Sequence, residues 1–228
     1  MKQIVLAAPT QLEMQLIESK LKEQSNTSSN DIVFAFGGIT IQPIITGPGI
    51  PMTILNLDYV LKTTKPDFLI HVGIAGGKKN NLELGQVLQV SSEFFGDIGA
   101  EDRDGRFLDM FQLGLIGKNE SPWVNGKLTN PYYWSNPYIR SADGVTVNCI
   151  PGTEQHQLDM ETRGTFEIES MEGAALFYVA LANKVPFCSL RSISNFIEPR
   201  NREKWEVEKA TENLATTCIS LIETITQT

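Results

Sequence analysis

Residues 65–77 have the sequence KPDFLIHVGIAGG, an apolar run that ends in closely spaced glycines. The run from Phe68 to Val72 is almost wholly apolar, which predicts a strand buried on both faces. The glycines directly after it predict a turn at the carboxyl end of that strand, where α/β sheets bind their ligands. The stretch therefore predicts a central strand with a binding site at its end.

Short apolar runs predict further buried strands, and apolar residues at helical spacing predict helices between them. Gly37 and Gly38 separate two extended runs and predict a hairpin. Buried strands that alternate with helices are typical of an α/β domain with a mixed central sheet, and we expect residues 1–228 to form one domain. The predicted strands are 4–8, 32–36, 39–45, 86–90, 145–150 and 187–193, and the predicted helices are 12–21, 54–61, 172–183 and 207–225.

Residues 96–143 interrupt this pattern as a variable insertion. The segment shows little periodicity but much Gly, Pro, Asn and aromatic content. Long irregular segments inside compact domains are usually functional, so it is the best candidate for a loop over a binding site. Its aromatic side chains favour packing over disorder, and they fit a subunit interface equally well. They are Trp123, Tyr132, Tyr133, Trp134 and Tyr138.

The charge and the cysteines exclude several classes of protein. The chain has 27 Asp and Glu but only 19 Lys and Arg, which gives a net charge of −8. This negative charge argues against binding along a nucleic-acid backbone. Cys149, Cys188 and Cys218 form no CxxC pair, which favours a reducing compartment, and we expect the cytoplasm. The two distant histidines argue against zinc, so we expect no metal and no cofactor. No apolar window is long enough for a transmembrane helix, so we expect no membrane partner.

Three polar residues lie beside predicted strand ends, and each has a purely structural alternative. Glu13 is the expected capping-box partner of Thr10. Glu172 opens a helix, where a carboxylate complements the helix dipole. Asn195 follows strand 187–193, where Asn is a common turn residue. Because the carboxyl ends of strands gather ligands in α/β sheets, we expect these three residues to share a site.

Two glycine-rich segments, Gly47-Pro48-Gly49 and residues 73–77, follow predicted strands. Glycine permits a tight turn, and it also lets the backbone approach a ligand closely. Neither segment matches the dinucleotide-binding or the ATP-binding glycine motif, so those two functions have no support in the sequence.

Three segments together resemble the nucleoside phosphorylase and nucleosidase superfamily, in the family's order and at its spacing. Gly47-Pro48-Gly49 falls at the family's first glycine turn. The resemblance covers residues 1–95 and 144–225, and it implies a three-layer α/β/α sandwich around a central mixed sheet. The segments are KPDFLIHVGIAGG at 65–77, ESMEGAA at 169–175 and VPFCSLRSISN at 185–195.

The resemblance implies a role for each candidate residue. Glu172 and Met171 should hold the ribose, and Glu13 should orient or deprotonate the attacking water. Arg191 should hold Glu13 or that water, and Asn195 should bind the purine edge. A carboxylate below the sugar stabilises the oxocarbenium-like transition state of N-glycosidic cleavage, and a positioned base activates water. The other residues implied to contact substrate are Gly49, Ala75, Gly76, Gly77 and Ser194.

Two departures from the family pattern indicate which nucleophile attacks and which purine base the site binds. Phosphorylases of this superfamily have a phosphate-binding Arg where this chain has His71. A phosphate site needs fixed positive charge, so water is the expected nucleophile. Adenine-specific nucleosidases have Asp where this chain has Asn195. An amide donates to a 6-oxo oxygen and accepts from a protonated N7, so Asn195 favours hypoxanthine or guanine over adenine.

Within the superfamily, the sequence SNFIEPRNREKW at residues 194–205 most resembles the futalosine hydrolases. This implies hydrolysis of futalosine, a small purine nucleoside, to hypoxanthine and dehypoxanthine futalosine in menaquinone biosynthesis. The alternatives are hydrolysis or phosphorolysis of another 6-oxopurine nucleoside, and a module that binds nucleosides without catalysis. The family generally pairs its subunits to complete the site, so we expect a homodimer or a larger homo-oligomer.

Overall fold

Strands and helices alternate along the computed structural model, which describes residues 2–24, 33–132, 136 and 139–227. Tyr133, Trp134 and Tyr138 of the predicted insertion lie outside the described residues. The strands are β1 (Gln3–Ala8), β2 (Phe34–Phe36), β3 (Ile39–Ile45), β4 (Phe68–Gly77), β5 (Val87–Phe95), β6 (Gly99–Glu101), β7 (Phe107–Asp109), β8 (Leu128–Thr129), β9 (Ser141–Thr146), β10 (Ile168–Ser170) and β11 (Phe187–Phe196). The helices are α1 (Gln11–Gln24), α2 (Ile50–Thr64), α3 (Glu154–Arg163), α4 (Gly173–Ala182) and α5 (Val207–Thr226), with a 3-10 turn at Arg202–Lys204.

The main sheet is mixed and, over the described residues, has nine strands in the order β10-β9-β5-β11-β4-β1-β3-β2, with β8 beside β5. The central strand β4 lies between β1 and β11 and is parallel to both. β2 and β3 form the predicted hairpin. β10 pairs with β9 on one side and with β4 on the other, so this part of the sheet closes on itself. The closure brings the ends of β4, β10 and β11 together.

Helices cover both faces of the sheet and enclose two apolar cores. α2 and α4 pack together on one face, where Leu57 and Phe177 are fully buried. α1 and α5 pack together on the other face, where Met14 and Leu214 are fully buried. The arrangement confirms the predicted three-layer α/β/α sandwich with a mixed central sheet.

The two glycine-rich segments have different conformations. The first is the predicted turn, since Gly47 and Gly49 have φ angles of 85° and 81°, in the region that favours glycine. The predicted turn at residues 73–77 is wrong, because the strand continues to Gly77. The backbone of this segment pairs with β11 on one side and, at its end, with β10 on the other. The chain therefore does not change direction at these glycines. Because they have no side chain, they instead leave room beside the strand.

Several elements beside the site were missed or predicted too short from the sequence, and each case has a physical reason. β10 has three residues, too few to show a periodicity. α3 has only Met160 as a buried residue, so it shows no apolar stripe. β5 and β11 are longer than predicted. Polar Glu93 and Asn195 lie within them and interrupt the apolar runs from which the ends of these strands were predicted.

Candidate active site

A cavity of about 250 Å³ opens where β1, β4, β10 and β11 end. We call one part the carboxylate end, defined by Glu13 and Glu172 with His71 and Arg191 beneath them. The other part, the amide end, is defined by Glu169, Ser194 and Asn195, and it continues into a neighbouring cavity that Glu169 and Asn195 also line. The predicted site residues that line the cavity are Glu13, Ala75, Gly76, Met171, Glu172, Ser194 and Asn195.

Glu13 is held through both of its carboxylate oxygens. Its Oε2 accepts from the N–H and the hydroxyl of Thr10, at 3.1 and 2.6 Å, which is the capping contact expected from the sequence. Its Oε1 accepts from the N–H of Ile74 at 3.0 Å, across 61 residues of chain. The side chain is 6% exposed. The helix cap and the backbone of β4 together fix the carboxylate at the edge of the cavity.

Glu172 directly precedes α4, but its carboxylate does not cap that helix. Its Oε1 instead accepts from the N–H of Gly49 at 2.8 Å. The positive φ of Gly49 turns the chain there, so this glycine positions Glu172 and is not itself a lining residue. Burial raises the pKa of Glu172, and the carboxylate of Glu13 adds to the effect. The N–H of Gly49 and the charge of Arg191 act in the opposite direction.

Arg191 lies fully buried below the carboxylate end. Its Nη1 is 2.8 Å from Nδ1 of His71 and also donates to the carbonyl of Leu190 at 3.2 Å. A guanidinium only donates, so Nδ1 accepts and the proton of this imidazole is on Nε2. Burial and the nearby guanidinium hold the pKa of His71 well below its usual range, so His71 is neutral.

Of the two roles that the resemblance implied for Arg191, the structure does not show the contact with Glu13. Among the described residues, Arg191 makes no hydrogen bond to Glu13, since its Nη1 is taken by His71, and its Nε and Nη2 have no partner. The guanidinium and the carboxylate nevertheless lie close together. A Cβ added to Gly73 would be 3.0 Å from Nη1 of Arg191 and 3.2 Å from Oε1 of Glu13. The missing side chain of Gly73 thus leaves room for both groups.

Asn195 occupies the amide end. It lies within β11 rather than in a turn, next to an irregularity in the pairing between Ile193 and Asn195 that changes the direction of the side chain. Its Oδ1 accepts from the hydroxyl of Ser194 at 2.9 Å, and its Nδ2 donates to the carbonyl of Phe196 at 3.1 Å. The amide orientation is therefore set by its neighbours, and one N–H of Nδ2 remains available.

Two predicted contacts differ in the structure. The implied contact of Gly77 is wrong, because a Cβ there would meet Ile193 and Leu82 at 3.0 Å on the apolar side of the strand. Consecutive strand residues face opposite sides, so Gly76 lines the cavity and Gly77 does not. Within the predicted insertion, the described residues do not line the cavity. Trp123 from that segment instead packs on Phe111 and on Tyr178 of α4.

Several residues in and behind the site were not predicted from the sequence, among them Glu93, Ile150, Glu169 and Trp205. Ile150 and Trp205 line the cavity, and a lone Trp in the charged stretch 200–206 was a signal that could have indicated the latter. Glu169, 4% exposed, lies in the three-residue strand β10, whose sequence Ile-Glu-Ser gives no signal that the carboxyl is buried. Glu93 lies fully buried behind Glu172, accepts from the hydroxyl of Thr146 at 3.0 Å, and burial raises its pKa to about 8.

Over the described residues, no group of three or more His, Cys, Asp or Glu side chains could hold a metal ion. No helix in those ranges is long and apolar enough to cross a membrane.

Comparisons with known proteins find similar sequences over part or most of this chain. Residues 146–227 match the family model of the Phosphorylase superfamily. A futalosine hydrolase of Acidothermus cellulolyticus is 29% identical over 149 residues, which are 64% of this chain and 60% of that protein. A 5'-methylthioadenosine/S-adenosylhomocysteine nucleosidase of Maridesulfovibrio salexigens is 24% identical over 243 residues, covering 96% of this chain and 98% of that protein.

Solved structures agree on the fold. The 5'-methylthioadenosine/S-adenosylhomocysteine nucleosidase from Neisseria meningitidis, in complex with methylthio-immucillin-A, superimposes with a TM-score of 0.76 at 14% identity. The match covers 98% of this chain and 100% of that one. Together these findings confirm the resemblance to the nucleoside phosphorylase and nucleosidase superfamily.

Proposed function

We propose that this chain, which has the fold of the phosphorylase superfamily, is a purine nucleosidase that hydrolyses the N-glycosidic bond of futalosine. The products are hypoxanthine and dehypoxanthine futalosine, and the reaction belongs to menaquinone biosynthesis. The observation that carries the proposal is one cavity with two fixed carboxylates, Glu13 and Glu172, at one end and the oriented amide of Asn195 at the other.

The carboxylate end supplies the chemistry of bond cleavage. The ribose ring gains positive charge as the glycosidic bond breaks, and the Glu172 carboxylate, fixed by Gly49, accepts from its hydroxyls and stabilises that charge. Glu13, fixed by Thr10 and Ile74, takes a proton from the attacking water. The positive charge of the buried Arg191 acts to lower the pKa of Glu172, in opposition to the effect of burial.

Water, rather than phosphate, is the proposed nucleophile. The neutral imidazole of His71 replaces a phosphate-binding cation, and among the described residues no Lys or Arg side chain lines the cavity. In oxygen-18 water, we expect the label on the anomeric hydroxyl of the released sugar. A rate that requires inorganic phosphate, with a sugar 1-phosphate as the product, would contradict hydrolysis.

The choice of a 6-oxopurine rests on Asn195. Its Oδ1 accepts from a protonated N7 and its remaining N–H donates to O6, whereas adenine presents an amino group to that N–H. The futalosine hydrolase among the relatives supports this substrate. The second candidate is cleavage of methylthioadenosine or adenosylhomocysteine, which is favoured by the relative that aligns with 96% of this chain.

A parallel assay separates the candidates. Purified protein is incubated with futalosine, inosine and methylthioadenosine, with and without phosphate, and the released base is quantified by chromatography. We expect the fastest release from futalosine, without a need for phosphate. Faster release of adenine from methylthioadenosine would favour the second candidate. Tight binding of inosine without release of any base would favour a non-catalytic binding module.

We also propose that the protein functions as a homodimer or larger homo-oligomer. Met52, Leu55 and Tyr59 lie on one face of α2 and are 51%, 72% and 68% exposed. Such an apolar stripe, at helical spacing next to the Gly49 turn, is suited to contact a second copy of the chain. Light scattering should give at least twice the mass of one chain, and a Leu55→Glu/Tyr59→Glu double variant should shift it toward that of the monomer.

A further inference from the structure

The start of helix α4 is capped by side chains of neighbouring strands. Glu172 occupies the N-cap position, but its carboxylate makes no capping hydrogen bond and lines the cavity instead. The N–H of Gly173 donates to the hydroxyl of Ser170 at 3.1 Å, and the N–H of Ala174 donates to the hydroxyl of Thr146 at 2.7 Å. The first N–H groups of a helix have no partner within it, so these two hydroxyls take the place of a capping side chain.

Glu93 sets the direction of the Thr146 hydroxyl. Thr146 donates its one hydrogen to Oε2 of Glu93 at 3.0 Å, which leaves the lone pairs of its oxygen for the N–H of Ala174. The hydrogen bonds thus run in one direction, from the backbone of α4 through Thr146 to Glu93. Both side chains are fully buried, so bulk water does not compete for these bonds.

The carboxyl of Glu93 also packs directly against the start of the helix. A Cβ added to Gly173 or to Gly144 of β9 would overlap its Oε1, so only glycine leaves room for the carboxyl at these two positions. Gly173 is the residue between Glu172 and Ala174. Glu93 therefore contacts the chain immediately beside Glu172.

Glu93 is a neutral acid at pH 7. Burial raises its pKa to about 8, and the charges of Glu172 and Asp143 add to the effect, while Arg191 and the hydrogen bond from Thr146 act in the opposite direction. No second full negative charge therefore lies behind Glu172. Among the described residues, Oε1 of Glu93 has no hydrogen-bond partner. A buried polar atom without a partner is costly for the fold, and such perturbed groups concentrate near functional sites.

We infer that Glu93 is a positioning residue for Glu172, which it fixes by orienting the hydroxyl of Thr146 and by packing against Gly173 at the start of α4. The inference rests on the proposed function and extends it behind the cavity, which Glu93 does not line. Gly49 fixes the carboxylate of Glu172 at its tip. Glu93 fixes the backbone from which that side chain projects.

The first test removes the acceptor without shortening the side chain. In Glu93→Met, kcat for futalosine should fall about 10- to 100-fold, because a misplacement of about 1 Å at a reacting group has an effect of that size. Glu93→Gln is neutral, has the same shape and keeps an acceptor oxygen, so it should restore most of the rate. Glu167→Gln is the control for the change of carboxyl to amide, because Glu167 pairs with Arg140 and does not line the cavity.

Thr146 provides an independent pair of variants in case Glu93→Met fails to fold. Thr146→Val has the same shape without the hydroxyl, so it should lower kcat as Glu93→Met does. Thr146→Ser keeps the hydroxyl and should restore most of the rate. Ser92→Ala is the matched control and should keep the wild-type kcat, since this hydroxyl lies on the same strand as Glu93 but donates to Asp143.

A double-mutant cycle distinguishes positioning from a general structural role. If Glu93 acts through Glu172, then Glu93→Met should lower kcat no further in a Glu172→Gln background. An equal loss in both backgrounds would overturn the inference, as would a Glu93→Gln variant that is as slow as Glu93→Met. If wild type cleaves methylthioadenosine instead of futalosine, the futalosine assignment fails. The cycle is then measured on methylthioadenosine, so the two failures remain distinct.

Discussion

The two ends of the cavity are built on different principles. At the carboxylate end, Glu13 and Glu172 each accept from backbone N–H groups of distant segments, so these carboxylates are fixed before any ligand arrives. At the amide end, Asn195 is oriented by Ser194, but Glu169 keeps an oxygen without a partner among the described residues. The comparison indicates that the first end is preorganised for chemistry, while the second leaves hydrogen-bonding capacity for recognition.

The largest expected effect is at the carboxylate end. In Glu172→Gln, the amide still accepts from Gly49 but no longer balances positive charge on the sugar, so turnover of futalosine should fall about 10³-fold. Circular dichroism and the melting temperature should remain close to those of wild type, as they should in the control Glu167→Gln. Turnover within a few-fold of wild type would mean that Glu172 does not act on the sugar.

A somewhat smaller loss of turnover is expected for Glu13→Gln, which removes the general base but leaves Glu172 in place. Turnover should fall about 10²-fold, the usual contribution of general base catalysis. Hypoxanthine should bind as in wild type, which calorimetry can measure. Glu23→Gln, at the exposed end of the same helix, is the control. If Glu13→Gln loses only stability, then Glu13 is a helix cap and nothing more.

At the amide end, a change of selectivity is expected instead of a loss of rate. Asn195→Asp should lower cleavage of 6-oxopurine nucleosides relative to 6-aminopurine ones by about 5- to 150-fold, since an unpaired buried donor costs about 1–3 kcal/mol. The switch should be partial, because pairing with adenine needs a protonated carboxyl with a raised pKa. The ratio of rates on futalosine and its 6-amino counterpart measures it. An unchanged ratio would mean that Asn195 does not recognise the purine base.

The smallest expected effect concerns the space below the carboxylate end. In Gly73→Ala, the new Cβ would crowd Arg191 and Glu13, both within about 3.2 Å, so the free energy of unfolding should fall by about 1–3 kcal/mol. Gly152→Ala is the control, since a Cβ there meets nothing within 4 Å. Denaturant titration compares the two variants. Equal stabilities would mean that the guanidinium and the carboxylate can move apart at little cost.

Patterns within short stretches predicted much of the site. The catalytic role of Glu13 and the base-binding role of Asn195 were implied by the family resemblance, whereas the contact of Glu13 with Thr10 was predicted from the capping box, which depends only on neighbouring residues. The same reasoning misjudged residues 73–77, where glycines that suggest a turn lie inside a strand. Local sequence shows that a glycine permits a turn, but only the pairing partners on both sides decide whether the strand continues.

The sequence by itself determined the alternation of strands and helices, and hence the edge of the sheet where Glu13, Glu172 and Asn195 meet. This is possible because burial leaves a local pattern in the sequence, an apolar run in a strand buried on both faces and an apolar stripe at helical spacing in a helix. Only the tertiary structure decided that β10 closes onto β4 and puts Glu169 opposite Gly76. A strand of three residues has no periodicity of its own, so its register is set by partners that are distant in the chain.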